Sequence, residues 1–512
     1  MIFSRVTEED YQVSPFGLYK TFLASKVEVD PVTDDFVSWT QSSQPLESQT
    51  VRLSVIDQAV VRCWSSYLLC FEKTSRHSNQ EIFSQLRAGL QKTIQQFPFI
   101  AGELVPDKDG KEGSLQVNIG PDSGVAFGFR DISKFSIAAD LTFEKLRQHD
   151  FHPSLMEGPE LHIAPDPKTI NSLPRQPVFL AQATFVHGGV LLFMAHSHQI
   201  ADVTGTNSFM RRWSENVSAI ASGFEPQIST ALRDCSMGTD RQRLSHGHFD
   251  ASIPESSFPM LITRADTSTK APKARHVSQE QNPSLIWHMD SAHLQLLKDL
   301  AQPTEDDEYI STLDAVNALF WRTVCRARQL SERDISSSRL FFVCDIRSKL
   351  QPPMRPDSTC NATMKLHATQ TSTDIQDQDL QASLSRSASS IRRAIQSFSP
   401  SQFETWISYV KSAPSFFSLQ AQESLRYGPD IVVTDHSKVG AYSHTWGPLL
   451  GSIARIRNPW WARSAPKPFS QITYMPRLKD GGLEILTNFG QEINEWLLED
   501  HELKQFASIR CC

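Results

Sequence analysis

Two histidines and an aspartate lie within seven positions of one another near the middle of the chain: His196, His198 and Asp202. An imidazole titrates near neutral pH, so a positioned histidine can take a proton from a hydroxyl or an amine that attacks a carbonyl. Asp202 stands four positions beyond His198, where it either orients the ring or faces away and holds the turn through an ion pair. This pattern predicts general-base chemistry at this point of the chain.

The elements on either side of this cluster determine where its side chains lie. Residues 190–195 are six apolar residues in a row, which is typical of a strand buried on both faces. Beyond the cluster, Phe209, Trp213 and Val217 recur at the spacing of a helix. The histidines are therefore expected in a strand-to-helix turn inside the protein, with a base at the end of a buried strand.

Composition limits the class of protein to which the chain can belong. Its 512 residues suffice for two or three domains, and a net charge of −7 argues against nucleic-acid binding as the main role. The eight cysteines form no C-x-x-C pair, so no metal site is expected. No apolar segment is long enough to span a membrane, and no secretory signal is recognisable, which favours a cytoplasmic location.

Strand-like and helical patterns alternate in both halves of the chain. From about residue 228 to 283 the periodicity disappears and Ser, Thr, Pro and Lys accumulate, which indicates a crossover between domains. We therefore predict two α/β domains, residues 1–227 and 284–512. The predicted elements are a helix over 79–96, strands over 99–105, 177–184, 190–195, 286–289 and 340–345, helices over 312–328, 374–398 and 491–506, and a hairpin over 471–487.

The histidine cluster resembles the H-x-x-x-D signature of the BAHD acyltransferases, in particular the trichothecene O-acetyltransferase-like branch of fungal secondary metabolism. Five further segments are similar to blocks of that family and occur in the family's order. They are residues 53–58, residues 86–90 with 97–102, residues 311–321, residues 345–353 with Asn361, and residues 476–484. The resemblance covers roughly residues 50 to 507, which is nearly the whole chain.

The resemblance implies two chloramphenicol-acetyltransferase-like domains joined by a crossover loop around a central solvent channel. Such an enzyme uses an acyl-CoA, here acetyl-CoA, as co-substrate and a small-molecule alcohol as acceptor, and it acts as a monomer without a metal or a tightly bound cofactor. His198 would be the general base, preferred to His196 because only His198 has Asp202 at the right distance. Asp202 would be a structural support, paired with Arg347.

The sequence departs from the family pattern around both of its signatures. Val203 occupies the position after the motif aspartate where a glycine is usual, and Gly205 follows two residues later. The second signature, D-F-G-W-G, falls near residues 443–451, but either Thr445 or Ser443 replaces its aspartate. Trp446, with Gly447, is a candidate for stabilising the oxyanion, and the alternative is a tryptophan of the core.

Five further residues have both a functional and a structural interpretation. Ser311 and Thr312 could contact the pantetheine arm of the co-substrate, or they could cap a helix. Lys270, Lys273 and Arg275 could bind its phosphates, or they could be the solvated charges of a crossover.

Three functions remain open from the sequence. The first is a coenzyme A-dependent O-acyltransferase. The second is an N-acyltransferase or a condensation-type enzyme that forms an amide or ester. The third is a catalytically impaired homologue that binds ligands.

Overall fold

The structure is a computed structural model, and the account below concerns the residues that it describes. These are residues 36–74, 76–133, 141–156, 161, 175–255, 258, 260–262, 284–303, 309–421, 428–458 and 470–511. Within them, no helix is long and apolar enough to cross a bilayer.

The strands of the described residues are β1 (Phe36–Gln41), β2 (Gln49–Arg52), β3 (Trp64–Glu72), β4 (Glu103–Pro106), β5 (Leu115–Ile119), β6 (Gly124–Asp131), β7 (Gln176–Pro177), β8 (Phe179–Val186), β9 (Gly189–Ser197), β10 (Met260–Ile262), β11 (Leu285–Met289), β12 (Ser337–Asp345), β13 (Thr363–Thr371), β14 (Leu419–Ala421), β15 (Ile431–Asp435), β16 (Arg455–Arg457), β17 (Gln471–Tyr474), β18 (Leu483–Asn488) and β19 (Ser508–Cys511).

The α-helices of the same residues are α1 (Val55–Ala59), α2 (Asn79–Gln96), α3 (Phe143–Gln148), α4 (Val203–Ala221), α5 (Thr230–Asp234), α6 (Asp240–Arg243), α7 (Ser291–Leu300), α8 (Thr312–Ala327), α9 (Ser372–Ile375), α10 (Leu380–Gln396), α11 (Pro400–Ser412), α12 (Gly447–Leu450), α13 (Gln491–Glu499) and α14 (His501–Lys504).

The first large sheet has the strand order β1-β6-β8-β9-β3-β16. Strands β8 and β9 form an antiparallel hairpin, whose turn at Gly188 has a φ of +77° that favours glycine. All nine residues of β9 are buried, and helix α4 buries Phe209, Trp213 and Val217. The predicted strand, turn and helix around the histidines are confirmed.

The second large sheet has the order β13-β12-β15-β17-β18-β11-β19 and mixes parallel with antiparallel neighbours. Helix α8, whose apolar residues are almost all buried, packs in the core of this half together with α10. Sheets of this size combined with helices confirm the α/β fold class that the sequence predicts.

Each core includes residues from the other half of the chain. Strand β16 pairs with β3 in the first sheet, and Trp446 and Ile456 belong to the first core although they lie in the C-terminal half. Conversely, Ile56 belongs to the second core. Both halves of the chain therefore contribute residues to each of the two cores.

Several predicted elements have different bounds in the structure. The strand predicted over 99–105 is a 3₁₀ turn, Pro98–Ala101, followed by β4. The helix predicted over 374–398 is divided into α9 and α10, and the closing helix ends at Lys504, before the final strand β19. Inside the predicted crossover, α5 and α6 are short helices.

Candidate active site

His198 occupies the turn between β9 and α4, and its side chain is partly exposed. Its backbone N–H donates to the carbonyl of Cys63 at 2.8 Å, which fixes the turn to the segment that enters β3. The Nδ1 atom of its ring is buried, and the residues that the structure describes provide no hydrogen-bond partner for it. A histidine whose backbone is fixed and whose side chain stays partly exposed is suited to exchange a proton with a bound molecule.

His196 lies two residues earlier on β9, and its ring is fully buried. Its Nδ1 donates to the carbonyl of Ser197 at 2.9 Å, and its Nε2 lies within hydrogen-bond distance of the hydroxyl of Thr206, at 2.7 Å. Burial is the largest cause of a pKa for His196 of about 4, so the ring is neutral at pH 7. Both nitrogens of His196 are engaged, which favours a supporting role for this ring.

Asp202 caps helix α4 and forms a buried ion pair with Arg347, as the family resemblance predicts. Its Oδ1 accepts from the backbone N–H of Gly205, and its two oxygens accept from the two terminal nitrogens of Arg347, all at 2.9 Å. The N–H of Ala362 donates to Oδ2, also at 2.9 Å. Burial alone would lower the pKa of Arg347, but the charge of Asp202 outweighs it and raises that pKa. The carboxylate faces Arg347, not the ring of His198.

Arg347 also connects the turn to the loop that precedes β13. Its Nη2 donates to the carbonyls of Ser358 and Cys360, at 3.1 and 2.7 Å. Only 3% of Arg347 is exposed, so one guanidinium joins the start of α4 to a buried loop of the other half. A planar group with five donors suits this geometry.

Gly205, and not position 203, is where this turn needs a glycine. A Cβ atom on Gly205 would lie 3.0 Å from the Cβ of Ala201 and 3.2 Å from the Cα of Thr359. Val203 is the first residue of α4 and is partly exposed, so its side chain is accommodated. The departure at Val203 is therefore compatible with the structure.

A tyrosine and a histidine that the sequence analysis missed lie at the same site. The hydroxyl of Tyr67 on β3 is 3.4 Å from Nδ1 of His436, which follows β15 directly. Burial lowers the pKa of His436 to about 4, and the neighbouring His198 acts in the same direction. Burial also raises the pKa of Tyr67, so its hydroxyl stays protonated. A histidine at the end of an apolar strand is the pattern that identified His198, and it could have identified His436.

Trp446 and Gly447 lie where the first core meets helix α4. The ring of Trp446 is fully buried and packs edge-on against Phe71 and Trp213, with ring centroids 5.5 Å apart in each case. Gly447 has a φ of +78°, and a Cβ there would lie 2.9 Å from the Cα of Ser218. These contacts support the core interpretation of Trp446 and explain the glycine that follows it.

The two positions that could correspond to the missing aspartate are both exposed. The hydroxyl of Thr445 accepts from the N–H of Gly447 at 3.4 Å, and the hydroxyl of Ser443 donates to the carbonyl of Gly440 at 2.6 Å. Both hydroxyls therefore make local contacts within their own segment. Trp446 and Gly447 attach that segment to the first core.

Ser311 and Thr312 are the remaining predicted residues that the structure describes, and both lie at the start of helix α8. Ser311 caps helix α8: its hydroxyl accepts from the N–H of Asp314 at 3.3 Å, and the Asp314 carboxylate accepts from the N–H of Ser311 at 2.7 Å. This capping box confirms the structural interpretation of Ser311, and Thr312 begins the helix. Lys270, Lys273 and Arg275 lie outside the described residues. Within the described part of the chain, no group of acidic, histidine and cysteine side chains is arranged to hold a metal.

Comparison with known proteins identifies the family. The model of the Transferase family matches residues 36–452. An acyltransferase of Emericella nidulans is 26% identical over 483 residues, which are 91% of this chain and 97% of that protein. The trichothecene 3-O-acetyltransferase of Fusarium sporotrichioides is 24% identical over 488 residues, covering 91% and 98% of the two chains.

The solved structures give the same result for the fold. A crystal structure of the F. sporotrichioides enzyme in complex with coenzyme A and T-2 superposes with a TM-score of 0.74 at 19% identity, over 90% of this chain and 100% of that one. This chain has the same fold.

The chain belongs to the Transferase family, and it is an acyl-transferring enzyme of the BAHD type that its signature resembles. No particular substrate follows from the family alone.

Proposed function

We propose that this enzyme is an acyl-CoA-dependent O-acyltransferase that transfers acetyl from acetyl-CoA to a hydroxyl of a small secondary metabolite, with His198 as general base. The contrast between the two histidines carries the proposal. His196 is buried and both of its nitrogens are engaged, whereas His198 is partly exposed and its Nδ1 has no partner among the described residues. The proposal also takes the chain as a monomer in the cytoplasm.

The acceptor hydroxyl attacks the thioester of acetyl-CoA directly, and no acyl-enzyme intermediate forms. The imidazole of His198 takes the proton of the acceptor hydroxyl while that oxygen bonds to the thioester carbonyl carbon. The tetrahedral intermediate collapses, the carbon–sulfur bond breaks, and the thiolate of coenzyme A takes the proton from the imidazolium. The products are the ester and the free thiol, and His198 returns to its neutral form. General-base catalysis of this kind contributes roughly 10²- to 10⁴-fold to the rate.

The oxyanion of that intermediate needs a hydrogen-bond donor, and His436 has the required properties. Its low pKa of about 4 keeps the ring neutral, with one N–H. The Nδ1 atom lies 3.4 Å from the hydroxyl of Tyr67, and we propose the tautomer in which Nδ1 accepts from this hydroxyl and Nε2 carries the proton. We therefore assign the Nε2–H of His436 as the donor to the oxyanion, in place of Trp446.

The relatives and neighbours support the choice of co-substrates. The trichothecene enzyme is named a 3-O-acetyltransferase, and its solved structure holds coenzyme A and T-2 together. This chain shares that fold over 90% of its length. An acyl-CoA and a hydroxylated small molecule are therefore the substrates to test first.

The experiment mixes the purified enzyme with acetyl-CoA and a panel of hydroxylated and amino-substituted small molecules, and follows release of the coenzyme A thiol. We expect turnover with at least one alcohol, abolished in His198→Ala and retained in His246→Ala, whose exposed ring is a matched control. Turnover with amines alone would identify an N-acyltransferase. Binding of acetyl-CoA without turnover on any acceptor would identify a ligand-binding homologue.

A further inference from the structure

A second buried ion pair lies next to the turn that carries His198. The guanidinium of Arg241, in α6, donates to Oδ2 of Asp57, in α1, and both side chains are almost completely buried. The other terminal nitrogen of Arg241 donates to the carbonyls of Ile200 and Thr359, at 2.7 and 3.1 Å. Arg241 therefore contacts the turn itself, two residues beyond His198.

Asn361 connects this ion pair to His198. Its side-chain nitrogen Nδ2 donates to Oδ1 of Asp57 and to the backbone carbonyl of His198, each at 2.9 Å. An amide group has two N–H donors, so one proton serves each acceptor. The backbone N–H of Asn361 also donates to Oδ1 of Asp57, at 3.1 Å. The carboxylate thus fixes Asn361 at two points, its backbone N–H and one side-chain N–H, and the other side-chain N–H holds the carbonyl of His198.

The two peptide groups of His198 are consequently held from opposite halves of the chain. Its N–H donates to Cys63 in the N-terminal half, and its carbonyl accepts from Asn361 in the C-terminal half. Ala362, which directly follows Asn361, donates its backbone N–H to the carboxylate of Asp202. Two consecutive residues of one loop therefore reach both buried carboxylates and set the position of the turn between them.

We propose that Asn361, fixed by the Asp57–Arg241 pair, is a positioning residue that sets the direction of the His198 ring toward the acceptor hydroxyl. The proposal rests on the function proposed above, in which His198 is the base. Positioning acts on the step in which the proton moves, so its loss lowers kcat while acetyl-CoA still binds. A displacement of about 1 Å at a reacting group costs on the order of 10²-fold in rate.

The test compares Asn361→Ala with Asn216→Ala, in acetyl transfer to an alcohol that the wild-type enzyme uses. Asn216 is a suitable control because it is a buried asparagine of α4 whose Nδ2 makes one side-chain bond, to Thr93 at 3.0 Å. We expect kcat to fall roughly 10²-fold in Asn361→Ala, with KM for acetyl-CoA within about twofold of wild type. Asn216→Ala should keep the wild-type kcat although it loses stability.

A merely structural role for Asn361 gives a different pattern. In that case Asn361→Ala lowers the unfolding temperature as Asn216→Ala does, and kcat of the folded enzyme stays at the wild-type value, which overturns the proposal. Asn361→Ser is the second variant, because its shorter hydroxyl has one donor and cannot serve both acceptors. If neither replacement of Asn361 folds, the residue belongs to the folding core and the positioning role is rejected.

The outcome also separates this proposal from the proposed function. Absence of turnover in the wild type, or full activity in His198→Ala, contradicts the proposed function itself. Turnover that requires His198 but is unchanged in Asn361→Ala contradicts only the positioning role.

Discussion

Replacing Arg347 by methionine should leave the carboxylate of Asp202 buried without its cation. Only 5% of Asp202 is exposed, and it would retain the backbone N–H groups of Gly205 and Ala362. Breaking a buried pair from one side costs about 3–5 kcal/mol, because the remaining charge is uncompensated. The carbonyls of Ser358 and Cys360 also lose a donor. We therefore expect Arg347→Met to lower the free energy of unfolding by about 4 kcal/mol.

The partner substitution, Asp202→Asn, should cost less. Asparagine is as good an N-cap as aspartate, so the bond to the N–H of Gly205 survives. Arg347 would retain two carbonyl acceptors and the carboxylate of Asp345, whose Oδ1 lies 3.2 Å from its Nη1. In the double variant neither charge is left alone, so its cost should be less than the sum of the two single costs, by about 2 kcal/mol.

Urea unfolding of the four proteins, followed by tryptophan fluorescence and circular dichroism, measures these free energies. The m-value should be the same in all four, so that midpoint shifts report stability. A cost below about 1 kcal/mol for Arg347→Met, or strict additivity of the two substitutions, would refute the view that this pair joins the halves of the chain.

Two further predictions concern His436, at the candidate active site, and Glu484, a buried carboxylate that accepts from Arg457. His436→Phe removes the N–H assigned to the oxyanion, so kcat should fall by about 10²- to 10³-fold with acetyl-CoA binding retained; an unchanged kcat in a steady-state assay would reject that assignment. Burial alone would raise the pKa of Glu484, but Arg457 and its neighbours outweigh it and lower the pKa from 4.5 to about 2. A depressed pKa contributes stability that is present above pH 4.5 and is lost as the pH falls toward 2. The unfolding temperature of wild type should therefore drop more steeply over that range than that of Glu484→Gln, and parallel curves would contradict this.

The sequence was sufficient to predict the elements around the candidate base because their signals are local. The run of apolar residues 190–195 and the spacing of Phe209, Trp213 and Val217 depend only on neighbouring residues, and the structure has β9 and α4 there. Asp202 and Arg347 are 145 residues apart in the chain, and no local sequence pattern specifies that they pair. The prediction of this pair came from the family resemblance.

What the sequence could not predict are contacts whose partners are distant in the chain. Asn361 reaches Asp57 over 304 residues, and its amide is placed by the fold of both halves. The same reason applies to β16, a strand of three residues that joins the first sheet from the C-terminal half. The motif around Trp446 made it a candidate for stabilising the oxyanion. Its position in the first core depends on the packing of a C-terminal segment against the N-terminal half, which no local pattern specifies.

The rate of acetyl transfer in His198→Ala, measured beside acetyl-CoA binding by calorimetry, tests the central claim most directly. Removal of the base should leave the affinity for acetyl-CoA unchanged while kcat falls by about 10²- to 10⁴-fold. A His198→Ala enzyme that binds acetyl-CoA and transfers acetyl at the wild-type rate would contradict the assignment of His198 as the base.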